Sequence, residues 1–169
     1  MRKSIIGSIL LCGSVFAFAE DVPIEGTVES KCVVTSDTSG VYGNPNPYTL
    51  STTPAKGGVH PVVRYDVVVE NYYKAIIEYP DAFSSSPGLD DTLTWTGTVM
   101  VDQHTDANMS DYDSEKITYS NVTEVTLDHA GSTWFRVENE VEYGGGTGAE
   151  QSLPAGNYTG IVTAECIAL

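Results

Sequence analysis

Basic residues are scarce in this chain: 8 Lys and Arg stand against 23 Asp and Glu, for a formal net charge of −15. A surface of that sign repels phosphate backbones and anionic headgroups, which disfavours nucleic acid and the membrane surface as partners. Cations, divalent metals or basic patches on another protein are what it attracts. Long hydrophobic runs are also missing. Ile5 to Phe16 is the longest apolar stretch, short of the roughly 20 residues of a membrane span. No segment carries a convincing helical period, and no repeat of 20–50 residues is present. There is no Cys-x-x-Cys pair for zinc and no G-x-S-x-G elbow for a nucleophile. Gly144-Gly145-Gly146-Thr147-Gly148 lacks the Lys-Ser/Thr ending of a phosphate loop and reads as a hairpin loop. The three histidines, His60, His104 and His129, are scattered, and nothing gathers a nucleophile, a base and an orienting acid. The chain reads as a non-enzyme.

What is present begins with an export signal. Arg2 and Lys3 form a positive start, Ile5 to Phe16 an apolar core, and Ala17-Phe18-Ala19 a small-residue cleavage site, so residues 1–19 read as a leader and Glu20 as the mature start. Cys12 is a poor lipoprotein anchor because bulky Leu11 precedes it. Losing Arg2 and Lys3 takes the cations from 8 to 6 against the same 23 acids, a net charge of about −17. Two cysteines remain, Cys32 and Cys166. In an oxidising compartment a disulfide is the default for such a pair, the alternative being two free buried thiols. A bridge would close a loop of roughly 130 residues, worth on the order of 4–5 kcal/mol in the chain-entropy account.

Between the cysteines, β-rich segments alternate with turn signals. Val62–Glu70, Lys74–Tyr79, Thr92–Val101, Lys116–Leu127, Thr133–Tyr143 and Asn157–Ile167 carry β-branched and aromatic residues with a period near two, and Ile24–Thr35 alternates more loosely. Asn44-Pro45-Asn46-Pro47, Ser84–Gly88 and Gly144–Gly148 read as turns. This pattern predicts an all-β fold, a single Ig-like antiparallel sandwich of seven or eight strands over residues 31–169, each sheet wetted on one face.

The acidic stretch Asp102–Glu115 is the strongest chemical candidate. Asp102, His104, Asp106, Asn108, Ser110 and Asp113 fall near the ligand offsets of a calcium loop, with Asp102, Asp106, Asn108 and Asp113 the best oxygen donors. Ala107 stands where such a loop needs Gly, and the flanking elements read as strands; a solvated hairpin is the competing reading. Tyr72, Tyr73, Tyr79, Trp95 and Trp134 could form a stacking platform, though at strand positions they read first as core or cross-strand pairs, both tryptophans included. Asn-x-Ser/Thr sequons begin at Asn108, Asn121 and Asn157.

At its two ends the chain resembles subunits of chaperone–usher pili and related secreted coat-like sandwich proteins. Ile24-Glu25-Gly26-Thr27-Val28-Glu29-Ser30-Lys31-Cys32-Val33-Val34 is similar to the pilin opening, an alternating segment ahead of a cysteine-bearing first strand. Leu153-Pro154-Ala155-Gly156-Asn157-Tyr158-Thr159-Gly160-Ile161-Val162-Thr163 is similar to the closing strand. The resemblance implies assembly by donor-strand exchange, in which a neighbour's N-terminal arm fills an apolar groove beside an unpaired edge. The arm would be residues 20–30, with Val22, Ile24, Gly26 and Val28 on the inserted face. It further implies copies of the chain or related subunits as partners, a periplasmic chaperone and an outer-membrane usher in transit, and a final place at the cell surface contributing to adhesion or biofilm. In many such pilins the first-strand cysteine pairs with the next strand. Here its mature partner lies near the C-terminus, so a bridge would hold first and last strands together, as in a closed sandwich. The alternative function is a monomeric extracellular module that binds carbohydrate or calcium through its loops.

Overall fold

The computed structural model describes residues 31–144 and 152–169. The leader, the arm residues Val22, Ile24, Gly26 and Val28, and residues 145–148 of the glycine stretch lie outside them. The described chain forms ten strands: β1 (Cys32–Thr38), β2 (Gly43–Asn46), β3 (Thr49–Ser51), β4 (Val62–Val67), β5 (Tyr73–Glu78), β6 (Leu93–His104), β7 (Ile117–Tyr119), β8 (Val122–Leu127), β9 (Gly131–Tyr143) and β10 (Thr163–Ala168). They build two antiparallel sheets. In the larger, β9 pairs with β6 from Thr133 to Tyr143; its other edge takes β4 beside Gly131–Arg136 and β3 beside Glu140–Glu142, with β1 and β2 outermost. The smaller sheet runs β10-β5-β8-β7.

A side-chain period of two makes this a sandwich. Along β9 the odd-numbered residues Thr133, Phe135, Val137, Asn139, Val141 and Tyr143 are buried, while the residues between them stay partly wet. Val63, Tyr65 and Val67 of β4 share that core, and Tyr73, Ala75, Ile77, Val125 and Leu127 meet them from the smaller sheet. Tyr65 and Phe135 pack edge to face at 5.7 Å. The Tyr65 hydroxyl reaches across to the smaller sheet, donating to the Ile76 carbonyl at 3.0 Å with the Glu165 carbonyl at 3.2 Å. Each large apolar side chain buried here is worth about 1.5–3 kcal/mol. Exposed pairs such as Lys56–Glu140 add about 0–1 kcal/mol. The core holds the fold together.

Several expected elements shift. Asn44–Asn46 belongs to edge strand β2, and the turn falls at Pro47-Tyr48. An edge tolerates Pro45, whose missing N–H faces no ladder partner there. Lys116–Leu127 is two strands joined at Ser120-Asn121, with Ser120 in the left-handed region (φ 55°). The closing segment becomes a strand only at Thr163; before it, Thr159 leaves the sheet to bridge Ser85. Both tryptophans depart from the core assignment. Trp134 lies on the outer face of the larger sheet, under the Arg64 guanidinium (5.3 Å) and donating to Asp37. Trp95 is half-buried against Phe83.

A two-sheet sandwich has two open sides, and the chain treats them differently. On the β6–β7 side, the connection between these strands folds back as a 3-10 turn (Ala107–Asp111) and a short helix α1 (Tyr112–Glu115). Met109 and Tyr112 from this connection are 1% exposed and join the core. Lys116 donates to the Val99 carbonyl and Asp113 accepts from the Val101 N–H, covering backbone groups on the free edge of β6. The chain plugs this side itself.

Candidate functional site: a groove between the first and last strands

The other side, between β1 and β10, is a groove of about 800 Å³. Among the described residues β1 pairs only with β4, and β10 only with β5. The Val68 N–H to Lys31 carbonyl bond sets the phase of the first ladder, so Val34 and Ser36 turn their backbone groups away from β4. The Leu169 N–H to Tyr72 carbonyl bond does the same for β10, turning Ala164 away from β5. Both walls of the groove thus present backbone donors and acceptors. Val34, Leu50, Val63, Val162 and Ala164 supply an apolar lining between them.

A disulfide joins Cys32 to Cys166, with the Cα atoms 6.2 Å apart. It links the edge of one sheet to the edge of the other and so crosses the open side at one end. The groove lining begins at Val34 and Ala164, two residues beyond each cysteine. The staple therefore pins one end of the open side, and among the described residues nothing closes the rest.

At the far end the groove meets a buried polar knot. The Tyr42 hydroxyl donates to Asn139 Oδ1 at 2.6 Å, and Asn139 Nδ2 reaches the carbonyls of Pro80 and Thr96, each at 3.2 Å. A Cβ on Gly160 would sit 2.6 Å from the Tyr42 hydroxyl oxygen, so a larger residue there would have to displace that hydroxyl from Asn139. Phe83 packs against Tyr42, Trp95 and Tyr158 beside it.

Burial pushes the Tyr42 phenol up to about 12, and pushes Tyr65 and Tyr112 up as well. A raised folded-state pKa means that stability is intact below the ordinary phenol value near 10 and is lost as pH rises toward the folded one. The chain should therefore hold its fold to about pH 10 and unfold between roughly 10 and 12, with late tyrosinate absorbance rising together with loss of the folded signal. Titration of all ten tyrosines around pH 10 with the fold intact would contradict this burial.

The calcium candidates are engaged separately. Asp102 faces Arg136 (3.5 Å), Asp106 caps the 3-10 turn by accepting the Asn108 N–H (2.9 Å), and Asp113 accepts from Val101 and lies 3.6 Å from Lys116. Asn108 is exposed. Among the described residues no three His, Cys, Asp or Glu side chains converge in a manner that could hold a metal ion. The apolar spacing of Met109 and Tyr112 within this acidic run was the available sign of a buried plug. The aromatic residues do not form one platform either: Tyr73 and Tyr79 are buried, Tyr72 is exposed, and Trp134 lies on the opposite sheet. Of the sequons, Asn121 is buried with its amide donating to Glu78 and to the Tyr79 carbonyl, which closes it to modification in the folded chain. His60 lies beside Glu138 and His129 beside Asp128, in different parts of the molecule.

No family model, curated protein or solved structure matches this chain.

Proposed function

We propose that this chain is a structural subunit of a surface fibre or pilus, in which the groove between β1 and β10 receives an extended segment from another copy. The observation that carries this reading is the asymmetry of the sandwich. One open side is filled by Met109 and Tyr112, while the other is left as an apolar groove between two edges that take no further strand among the described residues. That is the shape an added strand fills, with backbone bonds for affinity and alternate side chains as anchors.

The occupant is residues 20–30, whose Val22, Ile24, Gly26 and Val28 repeat at the period of a strand and which end directly at the first residue of the described fold. Extended, this segment reaches about 35 Å, against about 25 Å for the groove wall from Val34 to Val41. The resemblance to pilus subunits at both chain ends agrees with the same reading. An unfilled groove is an aggregation hazard, so the reading brings with it a periplasmic chaperone, an outer-membrane usher and a final place at the cell surface.

The test is an SDS gel of material sheared from producing cells, unheated beside boiled. The expected result is a ladder that collapses to one band on boiling. Deleting Glu20–Ser30 should abolish the ladder while leaving the domain folded by circular dichroism. A single monomer band in both lanes of the intact chain would refute the assignment.

A further inference from the structure

The placement of the disulfide determines whose arm can enter the groove. This step rests on the strand-donation reading above. An inserted strand needs β1 and β10 nearly 10 Å apart, twice the spacing of hydrogen-bonded neighbours. At the Cys32–Cys166 bridge they are 6.2 Å apart. No strand passes between them there, and insertion can begin only at the level of Val34 and Ala164. The root of the chain's own arm is on the wrong side of that barrier. Lys31 continues the β1–β4 ladder through its bond to Val68, so β1 enters the fold at the bridged end, on the far side of the staple from the groove.

To fold back, the arm must reverse and then run past the bridge before it can enter. A tight reversal takes two to four residues. Passing from the level of Lys31 to that of Val34 takes about three more. Of the eleven residues Glu20–Ser30, roughly five would remain for the groove, carrying Val22 and Ile24 but leaving Gly26 and Val28 outside. A neighbour's arm arrives without that detour and can present all four positions.

The geometry points to the Cys32–Cys166 staple as a barrier against self-insertion, one that directs the arm of each subunit into a second copy of the chain. Some such barrier is needed if fibres are to form. An arm tethered to its own domain has an effective concentration in the millimolar range, so fold-back outcompetes subunits at lower concentration wherever reach allows it.

Lengthening the arm root tests this. A flexible Gly/Ser linker of about six residues between Ser30 and Lys31 restores the lost reach. The oxidised chain carrying it should become monomeric, with ladder formation down at least about tenfold, because its own arm now fills the groove. A synthetic peptide of residues 20–30 should bind the arm-deleted domain and be refused by the linker variant. If the linker variant assembles as well as the wild type while the peptide binds the arm-deleted domain, the barrier is refuted and strand donation stands. If the peptide fails to bind the arm-deleted domain, strand donation itself fails and the barrier with it.

Discussion

Replacing both Cys32 and Cys166 by serine should lower the unfolding free energy by about 4–5 kcal/mol at 25 °C, the loop-closure entropy of a bridge spanning 134 positions. For a domain of this size the melting temperature should fall by roughly 10–20 °C. Denaturant unfolding of the double variant beside the oxidised chain measures the difference directly. The loss is an unfolded-state effect, so the slope with denaturant should also rise as the released chain exposes more surface. The core of β4, β5, β8 and β9 contains neither cysteine, and the variant should still fold. A change below about 1 kcal/mol would mean that the two chain ends are held together without the bridge, or stay together in the unfolded state.

The staple also has a mechanical place under the fibre reading. Load passing along a fibre would enter a subunit through the groove walls, β1 and β10, and leave through the arm root at Lys31. The bridge ties both walls together at that root. A covalent path then runs from wall to arm without crossing the core, so the weak interactions of the interior carry little of the pull.

Strand existence was legible where the period of two was long. β4, β5, β6 and β9 follow from runs such as Val62–Glu70 and Thr133–Tyr143, because a buried face must repeat every second residue. The outer position of Trp134 was in principle readable too: it shares parity with Arg136, Glu138 and Glu140 rather than with Phe135 and Val137. Other features carried no local signal. The Ser120 reversal uses a left-handed serine where glycine or a Pro-Gly pair would have announced a turn. The pairing of β4 and β3 with the same edge of β9 depends on contacts far apart in sequence, which no local pattern encodes. For the same reason the groove could be expected only through the resemblance at the chain ends, since its walls, Val34–Val41 and Gly156–Ala164, meet only in the folded chain.

The acidic run offers the sharpest contrast between a reading by charge and a reading by packing. Tyr112→Ala should cost about 3–5 kcal/mol, the range for removing a large buried aromatic ring. Tyr112 is 1% exposed, stacks at 18° on Phe135, and accepts the His129 N–H at 3.1 Å. Tyr112→Phe keeps the ring and gives up the hydroxyl's interactions with the His129 N–H and the Asp128 carboxylate, so it should cost about 1–2 kcal/mol. Denaturant midpoints of the two variants separate the contributions; equal costs would mean that the hydroxyl, not the ring, holds the plug. The consequence goes beyond stability. With the ring gone, the β6–β7 side would lose its filling and come to resemble the β1–β10 groove across the molecule. Tyr112→Ala should then show increased binding of a hydrophobic dye, beyond that of the wild-type domain. An unchanged dye signal would show that Met109 and the Lys116 and Asp113 contacts to β6 close that side without the tyrosine.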